Sequence, residues 1–120
     1  MALILFIEDD GLLQADGEMM LIDAGYDVML ASSGADACSL LQRHCEQVSA
    51  LVTDINLHGP MSGWQVAEAA RRLNPALPVL YVSASEQADF PACGVAGSYW
   101  VSKPFEWSEV TQAIAAMVRA

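Results

Sequence analysis

The stretch Ala2-Leu3-Ile4-Leu5-Phe6-Ile7-Glu8-Asp9-Asp10-Gly11 sets six apolar residues directly against three acids and a glycine. An apolar run this short, stopped by charge, suits a strand buried on both faces rather than one face of a helix. The same grammar recurs downstream. Asp27–Ala31 reads as a second strand, Leu51–Thr53 as a third ending on Asp54, Val79–Val82 as a fourth ending at Ser83, and Tyr99–Val101 as a fifth, before Ser102-Lys103-Pro104.

Helical patterns fill the gaps. Leu12, Leu13, Met19, Met20 and Ile22 recur at helical spacing ahead of Gly25, a plausible stop, while Asp10 reads as a cap at the helix start. A second helix runs from Ser32-Ser33-Gly34 to about His44 with Ala37, Leu40 and Leu41 inward. Ser62 is a good N-cap for a third over Gly63–Leu73, stopped by Asn74-Pro75. The last runs from Phe105 or Glu106 to Arg119, with Val110, Ile114, Met117 and Val118 as its apolar stripe. Between the fourth and fifth strands, Glu86–Ser98 carries Pro91, Gly94 and Gly97, and predicts at most a short helix near Glu86–Phe90. Strands alternating with helices in this way predict an α/β fold: a doubly wound five-stranded parallel sheet, order 2-1-3-4-5, flavodoxin-like, with a shortened or irregular helix in the fourth position.

Composition narrows the partners. The chain has 120 residues, 54% of them hydrophobic, which is enough for one domain with a real core. Fifteen acids against five basic residues give a formal net charge of -10, and Lys103 is the single lysine. Such a surface repels phosphate backbones and anionic membranes, so neither nucleic acid nor membrane is expected as a partner. The longest apolar run is far short of a membrane-spanning helix. Three cysteines without C-x-x-C spacing indicate neither a disulfide framework nor a zinc site, and the expected location is cytoplasmic. Met1, just before the first strand, fits a free-standing chain over residues 1–120.

Ligands on doubly wound sheets sit beyond the carboxyl ends of the strands, at the switch in strand order. In the order 2-1-3-4-5 that position gathers Glu8, Asp9 and Asp10 from strand one and Asp54 from strand three. Ser83 and Lys103 follow on the same side. The edge strand two ends blandly in Ala31-Ser32. Converging carboxylates repel one another, and a hard divalent cation such as Mg²⁺, which prefers oxygen ligands, is the usual relief. The charges balance: Glu8, Asp9 and Asp54 supply three negatives, and Mg²⁺ with Lys103 three positives. A carboxylate beside Mg²⁺ and a lysine is suited to attack a phosphoryl group whose oxygens those cations neutralise.

Five motifs lie in order along the chain: I-E-D-D after strand one, L-V-T-D-I-N-L at strand three, M-S-G-W opening a helix, V-S-A-S after strand four and S-K-P-F after strand five. Together they resemble the receiver domain of two-component response regulators over essentially the whole chain. The resemblance implies that Asp54 accepts a phosphoryl group from the phosphohistidine of a histidine kinase or phosphotransfer protein. It implies that Asp9 ligates Mg²⁺ directly, Glu8 acts through water, and the backbone carbonyl of Asn56 completes the ligands. Ser83 and Lys103 would hold phosphoryl oxygens, and Pro104 would shape the lysine loop behind a cis peptide bond. Trp100 matches the switch aromatic, and Ser85 and Asn56 match positions that tune hydrolysis. Two departures stand out: Ser83 to Lys103 is shorter than the family pattern, and Trp100 is bulkier than the usual Tyr or Phe. Signalling through the surface, rather than enzymatic turnover, is the implied activity.

Two other readings remain open on the residues alone. A Mg²⁺-dependent phosphohydrolase with an aspartyl nucleophile usually wants an acid/base aspartate two residues on, where this chain has Asn56. A receiver fold could also serve as a docking module without phosphorylation. His44 and His58 have no second ligand at metal spacing, so they read as surface or loop residues, and the methionines read as gap fillers.

Overall fold

In the computed structural model, which describes residues 2–84 and 93–119, each apolar run lies in a parallel sheet. The strands are β1 (Leu3–Ile7), β2 (Asp27–Ala31), β3 (Val48–Asp54), β4 (Val79–Ser83) and β5 (Tyr99–Ser102). Their order is β2-β1-β3-β4-β5, so strand order reverses between β1 and β3. The helices are α1 (Gly11–Asp23), α2 (Gly34–His44), α3 (Gly63–Leu73) and the C-terminal α4 (Trp107–Arg119). The short helix expected near Glu86–Phe90, and Ser85, lie outside the described residues.

Alternation along the strands divides the core in two. Leu5, Ile7, Leu51, Val79 and Tyr81 face α2 and α3, meeting Ala37, Leu41, Val66, Ala67 and Ala70. Ile4, Phe6, Val52, Leu80 and Val82 face the other way, against Leu21 of α1 and Val110, Ile114 and Met117 of α4. Successive side chains of a strand point to opposite faces, so a strand covered on both sides must be apolar throughout. That is why β1 and β4 read as unbroken runs.

The helices begin where local chemistry allows. Asp10 caps α1 by accepting the backbone N–H groups of Leu12 (3.0 Å) and Leu13 (3.2 Å). Ser62 caps α3 in a reciprocal box: its hydroxyl accepts the Gln65 N–H, and its own N–H donates to Gln65 Oε1 at 2.9 Å. Because that cap comes late, Ile55–Ser62 remains a loop between β3 and α3. Gly63, at the start of α3, sits so close to the end of β3 that an added Cβ would lie 2.2 Å from the Asp54 carbonyl oxygen.

Two expectations are corrected. β3 begins at Val48, earlier than the apolar run suggested, because Ser49 still lies in the sheet and its hydroxyl accepts the Leu3 N–H. In α1 the expected apolar face is turned outward: Leu12 is 82% exposed, Met19 62% and Ile22 53%, while the buried positions are Gly17 and Leu21. The Phe6 and Trp107 rings press on Gly17, where a Cβ would come within 2.3 Å of Phe6, so the helix must turn its smallest residue to the sheet. Met19 and Met20 therefore fill no gap in the core.

Candidate functional site

The carboxyl ends of β1, β3, β4 and β5 carry the polar residues that the apolar runs stop at. Glu8 follows β1, Asp54 ends β3, Ser83 ends β4, and Lys103 follows β5. All three of Glu8, Asp54 and Ser83 are buried. Such groups are tolerated only where hydrogen bonds or opposite charge replace the lost water. Lys103 supplies much of that replacement. Its ammonium donates to Asp54 Oδ2 at 2.8 Å and to Glu8 Oε1 at 3.2 Å, joining the ends of β1 and β3. The remaining oxygens are met by backbone: Asp10 N–H donates to Glu8 Oε2 and Asn56 N–H to Asp54 Oδ1, both at 3.2 Å.

Glu8 and Lys103 respond to burial in opposite ways. Burial pushes the Glu8 carboxyl up to about 7, helped by the Asp54 charge and opposed by the Asp10 N–H and by Lys103. Burial alone would lower the Lys103 ammonium, but Asp54 and Glu8 together outweigh it and hold it above its ordinary value. The ammonium is thus firmly charged, while Glu8 shares its site with a proton.

Glu8, Asp9 and Asp54 each bring a carboxylate oxygen within 4.8 Å of the others. With Lys103 beside them the cluster retains two surplus negative charges when all three are ionised, the charge of one divalent cation. All-oxygen donors and a raised carboxyl pKa fit Mg²⁺. Glu8, Asp9 and Asp54 would hold the ion, with the exposed Asn56 next along the same loop.

The other expected site residues fall at this end of the sheet. The Ser83 carbonyl accepts the Lys103 N–H at 3.0 Å, tying β4 to the lysine loop. The Lys103–Pro104 peptide bond is cis. Trp100 is half-buried, with its indole N–H on Ser102 Oγ at 2.9 Å, and it stacks on Trp64 at 5.9 Å beside Tyr81. Trp64 and Trp107 are both partly buried.

Two residues make contacts that the sequence did not signal. Gln14, a polar position on α1, bonds the carbonyls of Glu8 and Ala31 and the Ser32 hydroxyl, fastening the ends of β1 and β2. His58 is the exposed loop residue expected, and in addition its backbone N–H and its ring Nδ1 both meet Asp9. Neither contact has a spacing signal, because each joins distant segments.

A doubly wound parallel sheet with an acidic cleft and a half-buried lysine beside it belongs to the phosphoryl-handling class of such folds. A model of the response regulator receiver domain matches residues 4–115, and the chain belongs to that family. The chain is 30% identical over 118 residues to the protein named "Probable transcriptional regulatory protein TcrX" of Mycobacterium tuberculosis, covering 97% of this chain and 49% of that one. It thus spans about half the length of this curated relative. A response regulator receiver protein of Sinorhizobium medicae superimposes with a TM-score of 0.95 at 34% identity, covering 99% of this chain and 95% of that chain. The receiver domain of the Pseudomonas aeruginosa sensor histidine kinase PA1611, solved with magnesium coordinated in its active site cleft, superimposes at 0.86 and 25% identity over 99% and 98%.

Proposed function

We propose that residues 1–120 act as one phosphoacceptor receiver unit. Asp54 takes a phosphoryl group from the phosphohistidine of a histidine kinase or phosphotransfer protein, and the phosphorylated surface reports that state. The observation that carries this reading is Lys103 Nζ lying between Asp54 and Glu8, inside the acidic trio.

In the reaction an Asp54 carboxylate oxygen forms the new bond to phosphorus while the bond from phosphorus to the donor imidazole nitrogen breaks, its electron pair leaving with the nitrogen. Lys103 already lies on Asp54 and can follow the phosphoryl oxygen that arrives there. Ser83, at the end of the neighbouring strand, offers a hydroxyl to another. Glu8, Asp9, Asp54 and the backbone carbonyl of Asn56 would hold a magnesium ion, which would supply positive charge against the phosphoryl oxygens. Glu8, its carboxyl pushed up to about 7 by burial, would have to lose its proton to serve such an ion, which would link ion binding to proton release. Ser85 and Asn56 tune hydrolysis, Trp100 is the aromatic that senses the phosphorylated state, and Pro104 shapes the lysine loop.

No helix among the described residues is long and apolar enough to cross a membrane. The excess of acids supports a protein partner rather than nucleic acid. The module works by being modified once, not by turnover. Incubation with Mg²⁺ and acetyl phosphate, or with a generic phosphate ester, separates these modes. The expected result is one phosphoryl group per chain and no sustained release of alcohol from the ester. Continuous ester hydrolysis would instead mark a phosphohydrolase with an aspartyl nucleophile. Absence of both Mg²⁺ uptake and phosphorylation would leave the fold as a docking module.

A further inference from the structure

We propose that His58 is a positioning residue for the cation, one that fixes which Asp9 oxygen faces it; this rests on the phosphoacceptor reading above. Asp9 follows β1, and His58 sits in the β3–α3 loop, 49 residues further along. Two groups of His58 converge on a single oxygen: the backbone N–H donates to Asp9 Oδ2 at 2.9 Å, and the ring Nδ1 meets the same Oδ2. An ionised carboxylate only accepts, so Nδ1 must carry the hydrogen. Both donors on Oδ2 leave Oδ1 for the cation and stop the carboxylate from rotating about its Cβ–Cγ bond.

The arrangement inverts the common one, in which a carboxylate orients a ligating histidine; here an imidazole orients the ligating carboxylate. His58 does not itself belong to the trio whose oxygens converge. Its side chain is 92% exposed while that of Asp9 is only 14% exposed, so the imidazole lies at the surface rather than within the core. Removing the ring therefore costs the fold little apolar burial and leaves the backbone half of the clamp in place. The consequence falls on ion affinity.

The test is isothermal titration of the whole chain with Mg²⁺ for the wild type, His58→Ala and His58→Asn, together with the melting temperature of each without cation. Asparagine places an amide N–H on the same Cγ that carries Nδ1 in histidine, so it restores the donor without the ring. The expected result is Mg²⁺ binding about tenfold weaker in His58→Ala, the low end of what loss of such an orienting partner costs. His58→Asn should recover most of that affinity, and the ion-free melting temperatures should coincide. Unchanged or tighter binding in His58→Ala overturns the proposal, as does equal weakening in both variants or a loss matched by a fall in the ion-free melting temperature. A wild type that takes up no Mg²⁺ overturns the phosphoacceptor reading itself. A wild type that binds beside an unaffected His58→Ala overturns only the role of His58.

Discussion

The two halves of the cleft are built differently. The β1 half, Glu8 and Asp9, is an excess of negative charge: one carboxyl is buried and pushed up to about 7, the other is pinned at the rim by a loop histidine. The half formed by β3, β4 and β5 is more nearly neutral, with Asp54 and the Lys103 ammonium 2.8 Å apart and Ser83 alongside. The first half wants a cation and the second wants an anionic group, and Lys103 touches both. The lesson is that one lysine can touch both an acid-rich group and a nearly neutral pair within one cleft.

The strongest way to separate the halves is to remove that lysine. Lys103→Ala should slow phosphorylation by acetyl phosphate by about 100-fold or more, the scale for losing one preorganised donor to developing charge. Mg²⁺ affinity should hold or rise, because a competing positive charge is gone; titration and rate measurement on one preparation check both. Asp9→Asn should do the reverse, weakening Mg²⁺ binding by about 100-fold through loss of a direct ligand. Raised Mg²⁺ concentration should then restore much of the phosphorylation rate. If both variants lost ion binding and chemistry alike, the division would fail.

Gly63 joins the halves to the scaffold. Gly63→Ala must push α3 away from the Asp54 carbonyl and should cost about 1–3 kcal/mol in denaturant unfolding, as overpacking does. A pH series sharpens the β1 half. The Glu8 carboxyl titrates near 7 in the fold against 4.5 in the open chain. Between those values the folded, ion-free protein binds more protons than the unfolded chain. Its stability therefore rises as pH falls through 7 and is lost again as pH climbs. Mg²⁺ affinity follows the opposite course, weakening below pH 7 as protons compete, by up to about tenfold per pH unit. Glu8→Gln should flatten this part of both curves; thermal melts and ion titrations at matched ionic strength check it. The smallest effect belongs to Trp100→Phe, which lies outside both halves and should leave the phosphorylation rate nearly unchanged.

Most of the cleft was legible because its residues interrupt apolar runs. Glu8, Asp54 and Ser83 stand where a buried strand stops and Lys103 follows the edge strand β5, and the parallel order then fixes which of them meet. What stayed hidden depends on contacts between distant segments. Leu12, Met19 and Ile22 have the spacing of an inward face, yet the Phe6 and Trp107 rings decide that α1 turns Gly17 to the sheet. His58 carries no local sign of its contact with Asp9, because the loop brings it back across the cleft. Periodicity reports an amphipathic surface but not which aromatic neighbour selects the side that is buried.

The central claim is that both halves act on one phosphoryl group carried by Asp54. Peptide mapping by mass spectrometry after incubation with acetyl phosphate and Mg²⁺ tests it most directly. The account predicts a single phosphoryl group on Asp54, which does not form when a chelator is present before the donor is added and is absent in Asp54→Asn. Equal labelling of Asp54→Asn, or labelling when the chelator precedes the donor, would contradict it.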